Sequence, residues 1–174
     1  PRGEERDVKK RIFLIGPEAC GKTSLISGAV GSEIRRAGGL VLRHMGGGLE
    51  IFSPAEWERR RFAGPGPELS AHCAGLLARA SSAPFAVIDG LGGAELEEAE
   101  LYEALVRFLF SGTPCAGALE PPACEEGALL RELLTSDPDT MLLETSGRYD
   151  VNAEGALRHW AEEYVFAPVC TISW

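Results

Sequence analysis

The sequence lacks any apolar run long enough to cross a membrane. Its longest, such as Phe85-Ala86-Val87-Ile88, are strand-sized, whereas a spanning helix needs ~20 apolar residues. The opening Pro1-Arg2-Gly3-Glu4-Glu5-Arg6-Asp7 is charged and has no apolar core, so it does not read as a secretory leader. Pro1 in place of Met reads as a trimmed start. Metal-binding cysteine pairs are missing as well. Cys20, Cys73, Cys115, Cys124 and Cys170 form no C-x-x-C pair and match no common zinc spacing. The adjacent His72 and Cys73 cannot build a metal site alone. Reduced thiols in a cytoplasmic protein are therefore expected. Positive charge is also in short supply. The net charge is −9, and an acidic surface repels a nucleic-acid backbone, so neither a nucleic-acid nor a membrane partner is expected. The one basic run, Arg59-Arg60-Arg61, has Glu56 and Glu58 beside it. It reads as a solvated helix face, with a phosphate or partner contact as the alternative.

What remains is ordinary globular material. With 174 residues, 45% hydrophobic and 25% charged, the chain suits one domain with one substantial core. Residues 1–10 form a charged lead-in expected to be poorly ordered, and 11–174 the domain. Arg11 to Ile15 reads as a buried strand and Lys22 to Arg36 as a helix, with Leu25, Ile26, Ala29, Val30 and Ile34 facing inward. Leu40 to His44 and Leu49 to Phe52 suggest a hairpin about Gly46-Gly47-Gly48, and Gly64-Pro65-Gly66-Pro67 is a break, read as a mobile loop. Helices are predicted over 67–80, 95–110, 124–134 and 152–165, and strands over 84–89, 114–119 and 141–144. The apolar end, 167–174, reads as an edge strand or a truncated end. Strands that are apolar throughout, alternating with helices, predict an α/β fold in three layers, its mainly parallel sheet covered on both faces.

Between the first strand and first helix lies Gly16-Pro17-Glu18-Ala19-Cys20-Gly21-Lys22-Thr23, which fits G-x-x-x-x-G-K-[ST] without a gap. The chemistry explains the pattern. Glycines let the main chain wrap an anion closely, its N–H groups converge on phosphate oxygens, and the helix adds its positive end. Lys22 is then expected on the β- and γ-phosphates and Thr23 on Mg²⁺, with Ser24 near the α-phosphate. Cys20 reads as a small filler rather than a reactive thiol. Phe85 to Asp89, an apolar strand ending in a carboxylate, supplies Asp89 as the second group on the Mg²⁺ side. No Asn-Lys-x-Asp sequence is present to read guanine, which disfavours a dedicated GTPase. Arg148 follows a predicted strand end, where ligands gather in open α/β sheets. It is either a base or phosphate contact or a solvated loop arginine. Trp57, Trp160 and Trp174 read as packing residues, with Trp57 alone in a segment able to cover a ligand.

Three segments together resemble the small P-loop nucleoside-triphosphatases of the thermophile and cancer-related family. They are the loop itself continued through Ser24-Leu25, the stretch Val87-Ile88-Asp89-Gly90-Leu91-Gly92-Gly93-Ala94-Glu95-Leu96, and Leu109 to Ala118. The likeness spans residues 11–119, with a looser match near 145–150. It implies a P-loop fold, Mg²⁺ as cofactor, ATP or GTP as substrate, and slow hydrolysis with loose base preference. The chain departs from the family at two positions. Gly90 stands where the family has the glutamate that polarises water, and Gly93 where it has lysine. Asp89, Gly92, Glu95 and Leu96 match, leaving Glu95 either as the water-activating carboxylate or as a first-turn acid favoured by the helix dipole.

Three functions stay open at this level. The first is a Mg²⁺-dependent nucleoside triphosphatase using Lys22, Asp89 and Glu95. The second is a nucleotide-dependent switch with negligible hydrolysis, favoured by Gly90. The third is a small-molecule kinase or cofactor-biosynthesis protein, with Arg59 to Arg61 in a lid. No protein partner is named by the sequence; Glu95, Glu97, Glu98, Glu100 and Glu103 read as a solvated helix face or an interaction face.

Overall fold

The computed structural model describes residues 8–56, 58–147 and 149–167. Trp57, Arg148, Cys170 and Trp174, and with them most of the apolar end, lie outside the described residues. So do the first seven positions of the lead-in. Val8 to Lys10 are not loose, however. The Tyr164 hydroxyl donates to the Val8 carbonyl at 2.5 Å and the Trp160 indole to that of Lys10 at 3.0 Å.

Strand β1 (Arg11–Ile15) is buried along its whole length and leads through the glycine loop into helix α1 (Lys22–Val30). The helix predicted to reach Arg36 stops six residues early. Gly31 takes φ +59, a left-handed value that breaks the α-helical ladder, and the chain continues as a 3-10 helix over Gly31–Arg36. Strands β2 (Gly38–Met45) and β3 (Gly48–Phe52) form the expected hairpin, closed by Gly46-Gly47. Arg59 to Arg61 correct the expectation of a helix face. They form strand β4 (Arg59–Phe62) at the sheet edge. Period two explains this: Arg59 and Arg61 point to one side and ion-pair with the buried Glu50, at 2.9 and 3.3 Å, while Arg60 stacks on the Phe62 ring. Charged arginines also blunt an otherwise open edge.

Helix α2 (Pro67–Ala80), strand β5 (Ala86–Leu91), helix α3 (Ala99–Leu109), strand β6 (Cys115–Leu119), helix α4 (Glu125–Ser136), strand β7 (Thr140–Glu144) and helix α5 (Val151–Tyr164) complete the chain. The helix predicted over 95–110 is in fact a 3-10 turn, Ala94–Glu97, followed by α3. The sheet runs β4-β3-β2-β5-β6-β1-β7. From β2 to β7 every neighbour is parallel, and the hairpin strands are antiparallel. Alternation along β1 splits the core. Phe13 and Ile15 join Leu69, Leu77, Leu105 and Leu130 on the α2–α3–α4 face, while Ile12 and Leu14 join Ile26, Val30, Leu157 and Trp160 on the α1–α5 face. Both faces are covered, which is why the strands carry apolar residues throughout.

The N-terminal end of β1 is tied down by Arg11. This buried guanidinium binds Asp137 at 2.6 Å, the Thr140 hydroxyl at 3.0 Å and the Leu109 carbonyl at 2.9 Å. Burial alone raises the Asp137 carboxyl, but hydrogen bonds from Thr140, Arg11 and the Asp139 N–H outweigh it and hold the group below its usual range. A depressed acid contributes stability above its unfolded pKa and loses it as pH falls through the folded value. We therefore expect helical circular dichroism to survive to about pH 4 and to collapse below it, with Asp137→Asn flattening that acid limb.

No helix among the described residues is long and apolar enough to cross a membrane.

Candidate functional site

The loop after β1 turns because of two left-handed residues. Gly21 has φ +102, and Ala19 has φ +54, a conformation unfavourable for a residue with a Cβ. Such turns aim successive N–H groups into one hollow, and backbone strain of this kind persists where a site requires it. Gly16 is needed for a different reason: a Cβ there would lie 2.6 Å from the Thr145 carbonyl oxygen, where the loop leans on the end of β7. At the start of α1 no side chain caps the free N–H groups, and no acidic residue occupies the first turn. Helix α5 shows the contrast, with Asp150 accepting from the N–H groups of Asn152 and Ala153. An uncapped helix start beside such a loop suits an anion.

Lys22 is 4% exposed. Its ammonium donates to the carbonyls of Gly16 at 2.9 Å and Pro17 at 2.7 Å, which holds the charge directly beside the loop. Next to it, the exposed Thr23 hydroxyl donates to Asp89 Oδ2 at 2.5 Å. Asp89 arrives from β5, and β6 lies between that strand and β1. Burial pushes the Asp89 carboxyl above its usual range, an effect opposed by Thr23, Arg43, Lys22 and the Gly90 N–H. A hydroxyl and a carboxylate converging at the mouth of an anion site are hard oxygen donors, and they suit Mg²⁺ with its remaining positions filled by water and phosphate. The donor set fits the ion.

Around these groups lies a cavity of about 480 Å³, lined by Glu18, Ala19, Thr23, Arg43, Asp89 and Glu120 among others. A more apolar hollow of about 210 Å³, between Ile12, Met141 and Trp160, sits at the other end of β1 and touches none of them. Of the sequence-predicted residues, Gly16, Pro17, Glu18, Ala19, Cys20, Gly21, Lys22, Thr23 and Ser24 form the loop and helix start, and Asp89 faces them. Arg148 lies outside the described residues.

Glu95 is not brought to this cavity, which corrects its reading as a water-activating carboxylate. It is 1% exposed, and its Oε1 accepts from the N–H groups of both Gly92 and Gly93 at 2.8 Å. Its task is to close the turn after β5. Glu95→Ala would strand one buried and one half-buried donor and is expected to cost about 2 kcal/mol in chemical denaturation, with turnover per folded molecule unchanged.

Gly90 is a bulge, breaking register between Asp89 and Leu91 with φ +89. A Cβ there would lie 2.0 Å from the Leu42 carbonyl oxygen. No carboxylate can stand at this position. A further acid that lines the cavity, beside Glu18 and Asp89, is Glu120, one residue beyond β6, which sequence reasoning passed over. Its signal was available: a carboxylate just past the C-terminal end of a parallel strand, where ligands gather.

Two solved structures share this architecture. Superposed on the crystal structure of THEP1 from the hyperthermophile Aquifex aeolicus, the chain gives a TM-score of 0.61 at 18% identity, over 83% of this chain and 95% of that one. Against the solution structure of a human cancer-related nucleoside triphosphatase the TM-score is 0.59 at 20% identity, over 91% and 98%. No protein-family model matches the chain, and neither does any curated protein sequence. The likeness is one of fold: a three-layer α/β arrangement of the kind found in small P-loop nucleoside triphosphatases.

Proposed function

We propose that this chain binds nucleoside triphosphates together with Mg²⁺ and hydrolyses them slowly, with ATP and GTP both accepted. The observation that carries this is the uncapped start of α1 above the Gly16–Gly21 loop, with the buried Lys22 ammonium beside it and the Thr23–Asp89 pair opposite. The loop amides hold the phosphates in place, and Lys22 stabilises charge that builds on the β–γ bridging and terminal oxygens as the bond breaks. Thr23 and Asp89 would hold the metal, which when bound neutralises phosphate oxygens and helps align them. Loose base preference is what the family resemblance implies, and the lack of a guanine-reading sequence disfavours a dedicated GTPase. A cytoplasmic location is supported by Cys20, Cys73, Cys115 and Cys124, all free thiols.

One observation favours the alternative of a switch with negligible hydrolysis: Gly90 excludes the carboxylate from the place next to Asp89. Phosphate release and calorimetric titration decide between them. The hydrolase reading expects steady turnover with Mg²⁺ and either triphosphate. With chelator in place of Mg²⁺ it expects turnover to vanish and triphosphate affinity to fall at least ~10-fold. Tight Mg²⁺-dependent binding without phosphate release would establish the switch.

A further inference from the structure

The geometry points to Glu120 as the carboxylate that orients the attacking water, in place of the acid that Gly90 excludes. This rests on the hydrolase reading above and deepens it by naming the residue.

Position is the first argument. Strand β6 lies between β1 and β5, and its last residue, Leu119, is level with both Ile15 and Leu91. Glu120 therefore emerges between the phosphate loop on one side and Asp89 on the other. Its backbone is held there. The Glu120 N–H donates to the Leu91 carbonyl at 2.9 Å, the Glu120 carbonyl oxygen lies 2.8 Å from where a Cβ of Gly92 would sit, and the following Pro121 restricts the residue to an extended conformation. The side chain thus enters the cavity shared with Thr23 and Asp89.

The second argument is an unused acceptor. Glu120 Oε2 is buried and has no hydrogen-bond partner among the described residues. Lys22 forms a long ion pair with it at 3.7 Å, beyond hydrogen-bond reach, and the ammonium is already bonded to two loop carbonyls. The charge is thus paired, but the oxygen lacks the hydrogen bond that a buried carboxylate oxygen usually finds. A water that must be fixed before attack would satisfy it.

Other groups in the cavity suit the task less well. Glu18 is exposed on the loop, His44 is exposed at the far end of β2, and Asp89 is committed to Thr23. In the reaction, the Glu120 carboxylate accepts a hydrogen bond from water whose oxygen attacks the γ-phosphorus. The new P–O bond forms as the bond to the β–γ bridging oxygen breaks, and that oxygen keeps the electron pair as the diphosphate leaves. The water proton passes to Glu120 and then to solvent or phosphate, so inorganic phosphate and nucleoside diphosphate are the products.

The test compares phosphate release by wild type, Glu120→Gln, Glu120→Ala and His44→Gln, with melting curves and calorimetric binding of a non-hydrolysable triphosphate. We expect Glu120→Gln to lose ~10²–10³-fold in kcat. It should bind the triphosphate as tightly as wild type or more so, because one negative charge beside the phosphates is gone. Glu120→Ala should recover turnover as sodium formate is added, an effect that a structural role would not produce. Full turnover in Glu120→Gln, a loss confined to binding, or dependence on His44 instead would overturn the assignment while leaving the hydrolase reading standing. Wild type without Mg²⁺-dependent phosphate release would remove both. Should Glu120→Gln fail to fold, the formate response of Glu120→Ala decides: rescue upholds the role, and its lack overturns it.

Discussion

Lys22→Ala is expected to reduce Mg²⁺-dependent phosphate release by about 10³-fold, with triphosphate affinity also weakened. Among the described residues the ammonium is the one cation buried against the loop, 4% exposed and fixed by two loop carbonyls. Charge accumulating on phosphate oxygens in the transition state would meet it at close range and in a poorly hydrated setting, where an electrostatic contact is worth most. The substitution should leave the fold intact. The carbonyls of Gly16 and Pro17 lie at the loop, where water can replace the ammonium as donor. An unchanged melting curve beside a lost rate would therefore locate the effect in the chemistry. Lys22→Arg should not rescue, because a planar guanidinium is too broad for the place a compact ammonium occupies. Equal phosphate release by Lys22→Ala and wild type would remove the loop from the reaction altogether.

Gly90→Glu should destabilise the protein rather than speed it up. On sequence grounds the change supplies the acid that the resemblance drawn from the sequence places after the strand-ending aspartate, so a gain in turnover would be the natural expectation. Geometry predicts the reverse. Gly90 sits at φ +89 with the Leu42 carbonyl oxygen 2.0 Å from any Cβ. The left-handed backbone costs about 1–2 kcal/mol for a residue with a side chain, and forcing β5 away from β2 adds about 1–3 kcal/mol. A total of about 2–5 kcal/mol is a large part of the stability of a domain this size. Urea denaturation should show the midpoint falling steeply. A stable Gly90→Glu protein with faster turnover would mean that the bulge is not part of the working structure.

The hairpin arginines and the two acids show where sequence reading stopped. Arg59 to Arg61 looked like a helix face because their partner is not local: Glu50, on the neighbouring strand, ion-pairs with two of them and draws the segment into the sheet. Glu95 looked catalytic because it matched a motif in order. Its carboxylate folds back on the amides of Gly92 and Gly93, a contact set by the turn after β5. Glu120 had no motif around it. What singles it out is the strand order, which puts the end of β6 between the loop and Asp89.

The sequence by itself determined the glycine loop, the strand before it and the helix after it, because each depends on residues a few places apart. Glycine torsions, helix polarity and the period of buried positions are local physics. It also determined the α/β class, since strands apolar on both faces must be covered on both. Asp89 was legible too, as the carboxylate that ends an apolar strand. Only the tertiary structure decided that Glu120 lines the same cavity while Glu95 does not, and that Gly90 is crowded by a carbonyl on another strand. Contacts of that kind are settled by how strands line up in the sheet, and no pattern of neighbouring residues encodes them.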